Sequence, residues 1–457
     1  MERIAVDRTH LASLINRERS TYAQRHPESQ RHLAAANHLF GGVPMTWMRK
    51  WSGGFPMYLA GARGSTVSCV DGHDYIDFAL GDTGAMAGHT PQATIDAVVR
   101  RISDDGGITT MLPTEDAEVV AAELSRRFGL PQWSFTLTAT DANRWSLRIA
   151  RLVTGRPKIL VFAYSYHGSV DETFAVPGSD GQAISRPGNV APPVPLHHTT
   201  RVCEFNDIDA VQRELAHGDV AAVLFEPAMT NIGIVLPQPG FLEQLQQACA
   251  AAGSLLMVDE THTISAGPAG ATGAWNLRPD ILVIGKSIGG GIPSGAYGLS
   301  ADVAAQVMHM AESGDADIID VGGVGGTLSG NALSVAAMRA TLTEVLTEEA
   351  FTRMIGLCDD YTAGVQAAID AARLPWSISQ LGARAEYRFT YPAPVNGSQS
   401  AAAADDELDE FAHLWLLNRG ILITPFHNMA LMGPDTTAAQ VARHTELFTE
   451  VTAELAG

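Results

Sequence analysis

Lys286 follows the apolar run DILVIG and precedes SIGGGIPSG. Its amine therefore stands at a strand end, beside glycines that let a ligand approach the backbone. An amine there can condense with an aldehyde, and no acid lies within four residues to claim it; the ordinary alternative for a lysine is a solvated surface charge. Asp259 ends the run SLLMV, where a carboxylate is costly unless it meets a cation or several donors. A pyridinium nitrogen is one such partner, and a helix cap is the other reading. Thr138-Ala139-Thr140 lies between WSFTL and DANRWSLRIARLV, so a helix start offers free N–H groups and hydroxyls either to a phosphate or to its own cap. Tyr166-His167-Gly168 follows KILVFAYS. The aromatic there could stack on a flat heterocycle or serve as plain core. Taken in chain order, a phosphate seat, a stacking ring, a buried acid and a lysine describe a site for a phosphorylated, electron-withdrawing aromatic aldehyde.

These residues need a scaffold that brings strand ends together. Between about Gly81 and Thr327 the runs KILVFAYS, VAAVLFEP, SLLMVDET, DILVIGKS and GAYGLSA alternate with helical stretches such as FLEQLQQACAAAG. The runs are continuous rather than alternating, as in strands buried on both faces. Alternating β and α elements predict a large, doubly wound, mostly parallel sheet whose ligands bind at the carboxyl ends of its strands. Upstream, the first ~40 residues are polar and helical in character, GGVPMTWMRKWSGGFP reads as a loop, and STVSCVDGHDYIDF reads as a hairpin turned at Asp71-Gly72. After Asn331 come a long helical stretch, shorter strands and a closing helix. The expected division is an N-terminal segment, 1–75, packing with the small domain; a large domain, 76–331; and a smaller C-terminal α/β domain, 332–457. There is no internal repeat.

Composition narrows the function classes. With 50 acidic residues against 30 basic, the net charge of -20 repels nucleic acid phosphates and anionic lipid. Cys69, Cys203, Cys249 and Cys358 form no C-x-x-C pair, which argues against a zinc site or a disulfide framework and for reduced thiols. The start, MERIAVDRTHLASLINRERS, has no apolar h-region, and no window reaches the roughly 18 uncharged apolar residues of a membrane span. A cytoplasmic enzyme with no metal and no membrane partner is the expectation.

The segments EPAMTNIGIVLPQPGFLEQL, LLMVDETHT and PDILVIGKSIGGGIPSGAYG give the chain, from about Gly41 onward, a resemblance to the class III aminotransferases. It is closest to the subgroup of glutamate-1-semialdehyde aminomutase and the β-amino acid transaminases. The resemblance implies fold type I of the pyridoxal 5'-phosphate (PLP) transferases, with Lys286 as Schiff-base lysine and proton shuttle and Asp259 on the pyridine nitrogen. It puts Thr138, Ala139 and Thr140 on the phosphate and Tyr166 against the ring, with His167 and Gly168 completing that motif. Asn231 matches the contact to the ring hydroxyl, Glu226 the acid beginning that motif, and Thr261 the place under the ring usually held by Val. Thr327, in GGTLSGN, matches a residue that reaches the partner subunit's cofactor phosphate, so a homodimer with active sites at the interface is implied.

Departures bear on the substrate. The phosphate motif reads Thr-Ala-Thr-Asp-Ala rather than Ser-Gly-Thr-Glu-Ala, and Asp-Glu-Thr-His-Thr replaces the common Asp-Glu-Val, placing His262 near the ring for hydrogen bonding or proton transfer. Arg49 falls about one residue from the subgroup's carboxylate-binding arginine; it is either a clamp or a solvated loop residue. The aminomutase glutamate falls at Met429, which with Trp47, Trp51 and Phe55 would make a roomy apolar pocket. The expected reaction is therefore a ping-pong transamination through pyridoxamine phosphate, between an amine or amino acid, β-amino or aryl included, and a keto acid or ketone. Intramolecular amino transfer of the aminomutase kind is the alternative.

Overall fold

The computed structural model describes residues 5–314 and 316–456 and divides into two compact units. One comprises Pro91–Phe351 and Val395–Ala402. Its centre is a seven-stranded sheet of β1 (Gln132–Thr136), β2 (Lys158–Phe162), β3 (Thr200–Cys203), β4 (Val220–Phe225), β5 (Leu255–Asp259), β6 (Ile281–Gly285) and β7 (Gly295–Leu299), ordered β1-β7-β6-β5-β4-β2-β3. Only β7 runs against its neighbours; the other pairings are parallel.

The continuous apolar runs are explained by cover on both faces. Ile159, Val161, Leu224, Met257, Ile281 and Val283 pack on one face with Leu147 and Ile149 of helix Ala139–Thr154 and with Val303 and Val307. Leu160, Phe162, Val223, Phe225, Leu256 and Val258 face the other way, against Val211, Leu215, Phe241 and Leu245. Each fully buried side chain of this kind contributes about 1.5 to 3 kcal/mol. That makes the sheet centre the firmest place on which to mount reactive groups at strand ends.

The second unit comprises Met1–Thr90, Thr352–Pro394 and Ala403–Gly457. The expected hairpin is present: Thr66–Cys69 pairs antiparallel with Asp74–Asp77, turning through Gly72 at φ 80°. A second, antiparallel sheet joins Ser377–Leu381, Arg384–Arg388 and Met429–Leu431. Helix Arg8–Arg25 packs on Asp406–Leu417, where the buried Glu18 carboxylate accepts from Asn418 (2.8 Å) and Arg419 (3.1 Å).

The units divide after Thr90 and Phe351, beyond the boundaries at 75 and 331 read from sequence. Residues 76 and 77 are held by strand pairing with Ile421 and Leu422, which ties that stretch to the second unit. Helix Ala332–Ala340 packs on Gln92–Arg100 and Glu115–Phe128 of the large unit. Among the described residues no helix is long and apolar enough to cross a membrane. All four cysteines are buried and free.

Candidate active site

The strand ends of the large unit converge as the topology requires. Lys286 directly follows β6, half-buried and in left-handed backbone at φ 52°, a conformation that costs a non-glycine residue about 1 to 2 kcal/mol. Such strain concentrates where surrounding structure over-determines a functional residue. A Cβ on the preceding Gly285 would meet the Ala139 backbone nitrogen at 2.9 Å, so the lysine turn is pressed onto the start of helix Ala139–Thr154. The Nζ of Lys286 lies 2.7 Å from Nε2 of His262.

Thr138 caps that helix, its hydroxyl accepting from the Asp141 N–H at 3.2 Å. Thr140 Oγ accepts from the Ser169 N–H at 3.2 Å. Gly168, at φ 78°, allows this approach, since a Cβ there would meet Thr140 Cα at 2.9 Å. The first turn thus combines a capped, 16-residue helix start with the positive end of its dipole.

Asp259 ends β5, buried, and receives three donors. Asn143 Nδ2 lies 2.8 Å and His167 Nδ1 3.0 Å from its Oδ2, and the Thr261 N–H lies 3.1 Å from Oδ1. Burial alone would raise this carboxyl; the His167, Thr261 and Asn143 hydrogen bonds outweigh it and hold it below the usual carboxylate range. Asn143 also donates to the His167 carbonyl at 3.1 Å. It was not singled out in the sequence, although a fully buried Asn on the stripe Ala142, Ser146, Leu147, Ala150 is the kind of polar intrusion that marks a function.

Glu226, just past β4, is buried with Thr230 donating through Oγ (2.7 Å) and N–H (3.2 Å). Burial, aided by the charge of Asp259 and opposed by His167, pushes its carboxyl up to about 7. The neighbouring Glu260 is buried and likewise raised by burial. Its carboxylate takes the Thr263 hydroxyl (2.6 Å) and the Ala271 (3.2 Å) and Thr272 N–H groups, which pins the turn that carries Thr261 and His262.

Tyr166 is half-buried, edge-on to Phe174 with centroids 6.0 Å apart. Asn231 Nδ2 donates to the Tyr164 carbonyl at 3.3 Å. The Thr261 hydroxyl and His167 Nε2 are buried without a hydrogen-bond partner. Thr327 lies exposed in the loop before helix Ala332–Ala340. Arg49, Trp47 and Met429 belong to the other compact unit. There Arg49 is exposed and donates to the Gly41 carbonyl (3.1 Å), Trp47 is edge-on to Phe426, and Met429 is buried in its strand.

A model of the family described as aminotransferase class-III matches residues 47–447. The chain belongs to the class III aminotransferases. Among its similar relatives is a glutamate-1-semialdehyde 2,1-aminomutase of Anaeromyxobacter dehalogenans, 30% identical over 91% of this chain and 95% of that one. The K286A form of a glutamate-1-semialdehyde-aminomutase from Pseudomonas aeruginosa PAO1, solved in complex with PMP, is 46% identical over 99% of this chain and all of that one, with a TM-score of 0.95. A β-phenylalanine aminotransferase from Variovorax paradoxus is 27% identical over 96% and 97%, with a TM-score of 0.85.

The fold is fold type I of the PLP-dependent enzymes, and the cofactor of this aminotransferase is pyridoxal 5'-phosphate. The residues suit it: an ionised, buried Asp259 matches a protonated ring nitrogen, the helix start matches a phosphate, and Thr261 and His167 leave buried polar atoms to satisfy.

The raised Glu226 carboxyl has a measurable consequence for this aminotransferase. Because folding favours its protonated form, its contribution is complete below the ordinary glutamate value. It is lost as pH rises through about 7, amounting to about 3 kcal/mol in all. Urea unfolding of wild-type and Glu226→Gln protein from pH 4 to 8 should show stability in the wild type declining more steeply across that window. Parallel profiles would mean that Glu226 is ionised in the fold.

Proposed function

We propose that the protein is a PLP enzyme that moves an amino group within a small amino-carbonyl acid, in the manner of a glutamate-1-semialdehyde 2,1-aminomutase. The observation that carries this is the 46% identity across 99% of the chain to a protein of that description. The curated relatives bear the same name. They support it over the transaminase put first from the sequence.

PLP, when bound, supplies an aldehyde that condenses with amines and a protonated ring that takes up the electron pair left when a C–H proton departs. In this reading Thr138, Ala139 and Thr140 hold the phosphate through hydroxyls and helix-start N–H groups. Tyr166 would stack on the ring, and Thr261 would line the ring's site. Asp259, oriented by Asn143 and His167, would pair with the ring nitrogen and keep it protonated. Asn231 and Glu226 serve the ring hydroxyl side. Lys286 would hold the cofactor aldehyde through Nζ and, when that nitrogen is free, would serve as the group that accepts and returns the substrate's proton. Arg49 would meet a substrate carboxylate and Trp47 and Met429 would line its side-chain pocket.

A homodimer, with Thr327 reaching the phosphate of a second copy, is part of the proposal. The stretch 319–328 that carries Thr327 also exposes Ile319 (89%), Val321 (77%) and Leu328 (51%), apolar side chains of the kind that subunit contacts cover. Four buried, free cysteines suit a reducing, cytoplasmic setting.

Transamination between an amine or amino acid and a keto acid or ketone is kept as a second reading. It is favoured by Met429, an apolar residue 1% exposed, at the position where the aminomutases carry a glutamate. The two separate on one measurement. Enzyme given ¹⁵N-labelled glutamate-1-semialdehyde alone should move the label from carbon 2 to carbon 1 of the same skeleton. If turnover instead requires an added keto acid that emerges labelled, the transaminase reading replaces the first. Sedimentation of the same samples checks the dimer.

A further inference from the structure

The amine that must attack an aldehyde and later carry a proton has a partner on a different turn of the chain. Lys286 Nζ and His262 Nε2 are 2.7 Å apart; an ammonium Nζ can only donate, so in that state Nε2 is the acceptor and a neutral ring carries its proton on Nδ1. Both ends of this contact are fixed. His262, 8% exposed, follows Thr261, whose N–H is bound to Asp259, and Glu260, whose carboxylate is held by Thr263, Ala271 and Thr272. The Ile264 N–H also closes onto the Glu260 carbonyl at 2.9 Å. Lys286 starts from a left-handed backbone against the Ala139 helix start. Two immobilised turns therefore bring an amine and an imidazole together.

An alkylamine in water near neutral pH is mostly an ammonium ion, which has no lone pair for attack, whereas imidazole exchanges protons readily in that range. We propose that His262 is the proton-exchange partner of Lys286. Nε2 takes the proton leaving the Nζ ammonium, which frees the nitrogen lone pair, and returns it when Nζ is next to be protonated. One N–H bond breaks, one forms, and a positive charge passes from amine to ring, so no further reactant is needed. In the stretch Asp-Glu-Thr-His-Thr, that base directly follows Thr261. The inference rests on Lys286 being the amine that takes the cofactor aldehyde.

The test uses full-length protein stripped of cofactor, in two arms at one fixed pH. In the first, PLP is added in a stopped-flow instrument and growth of the visible absorption band is timed. In the second, cofactor-free protein is exposed to cyanate and the carbamylation rate of Lys286 is read by peptide mass spectrometry. His262→Gln, which keeps size and a hydrogen bond but cannot exchange the proton, should slow both rates about 100-fold. His262→Gly should be slowed likewise and recover at least about tenfold with added imidazole, a rescue that a purely structural role would not show. Thermal unfolding near the wild-type midpoint certifies each variant as folded. Wild-type rates in His262→Gln, or folded His262→Gly indifferent to imidazole, overturn the proposal. Wild-type protein that never develops the band overturns the PLP reading instead, and the cyanate arm still reports on His262.

Discussion

Lys286→Ala protein supplied with PLP will develop no visible band characteristic of the lysine-bound cofactor and will turn over at least about 10⁴-fold more slowly than wild type. Nucleophile and proton carrier are the same atom in the proposed mechanism, so both functions are lost together. Phosphate binding should survive, because the cap at Thr138 and the Thr140 contact to Ser169 do not involve the lysine. The backbone allows a control. Alanine keeps the Cβ at φ 52° and with it the left-handed strain, whereas Lys286→Gly removes both amine and strain and should be about 1 kcal/mol more stable than Lys286→Ala. Absorbance, turnover and urea midpoints measured on the two variants check this; a band that persists in either one removes Lys286 from its role.

Asp259→Asn should behave differently. Its lysine is intact, so the visible band forms, but the ring nitrogen loses its buried anion and turnover falls about 10³-fold. Asp259→Ala goes further. It strands the Asn143, His167 and Thr261 donors in the interior and should cost about 3 to 5 kcal/mol of stability. The pH dependence follows from the lowered carboxyl. Its contribution to stability is present above the ordinary aspartate range and is lost as pH falls through the depressed folded-state value, so the acid limb of wild-type stability should be steeper than that of Asp259→Asn. Equal turnover of Asp259→Asn and wild type would dismiss the ring-nitrogen assignment.

Much of this was legible before any coordinates. Continuous apolar runs announced strands covered on both faces, and Lys286, Asp259 and Thr138 could be placed at strand ends because strand and helix periodicities differ on either side of them. The Asp71-Gly72 turn likewise declared its hairpin locally. What escaped depends on long-range pairing. No local signal tells residues 76 and 77 that Ile421 and Leu422 will hold them, so the unit boundary was read too early. Asn143 looks like any polar residue in a helix until Asp259, far along the chain, arrives beside it. The strand Arg384–Arg388 is the sharpest case. Arg384, Glu386 and Arg388 alternate as a solvent-facing edge would, yet all are buried, with Glu386 3.3 Å from His427. Pattern alone cannot say that a charged face will be met by protein groups such as His427 and the Thr83 hydroxyl rather than by water.

The two glycines facing each other across β6 and β7, Gly285 and Gly295, set a dimension as well as a path. A Cβ at the first would meet Ala139 N at 2.9 Å, and at the second the Thr138 carbonyl carbon at 2.8 Å. Lysine turn and helix start are thus packed closely together, with neither glycine putting a side chain of its own between them. The lysine's main chain and the helix start therefore move as one piece, and the reach of the amine is set by its own four-carbon side chain. The anchor of the lysine and the start of the helix are thus one rigid block, which leaves the loops free to vary around it.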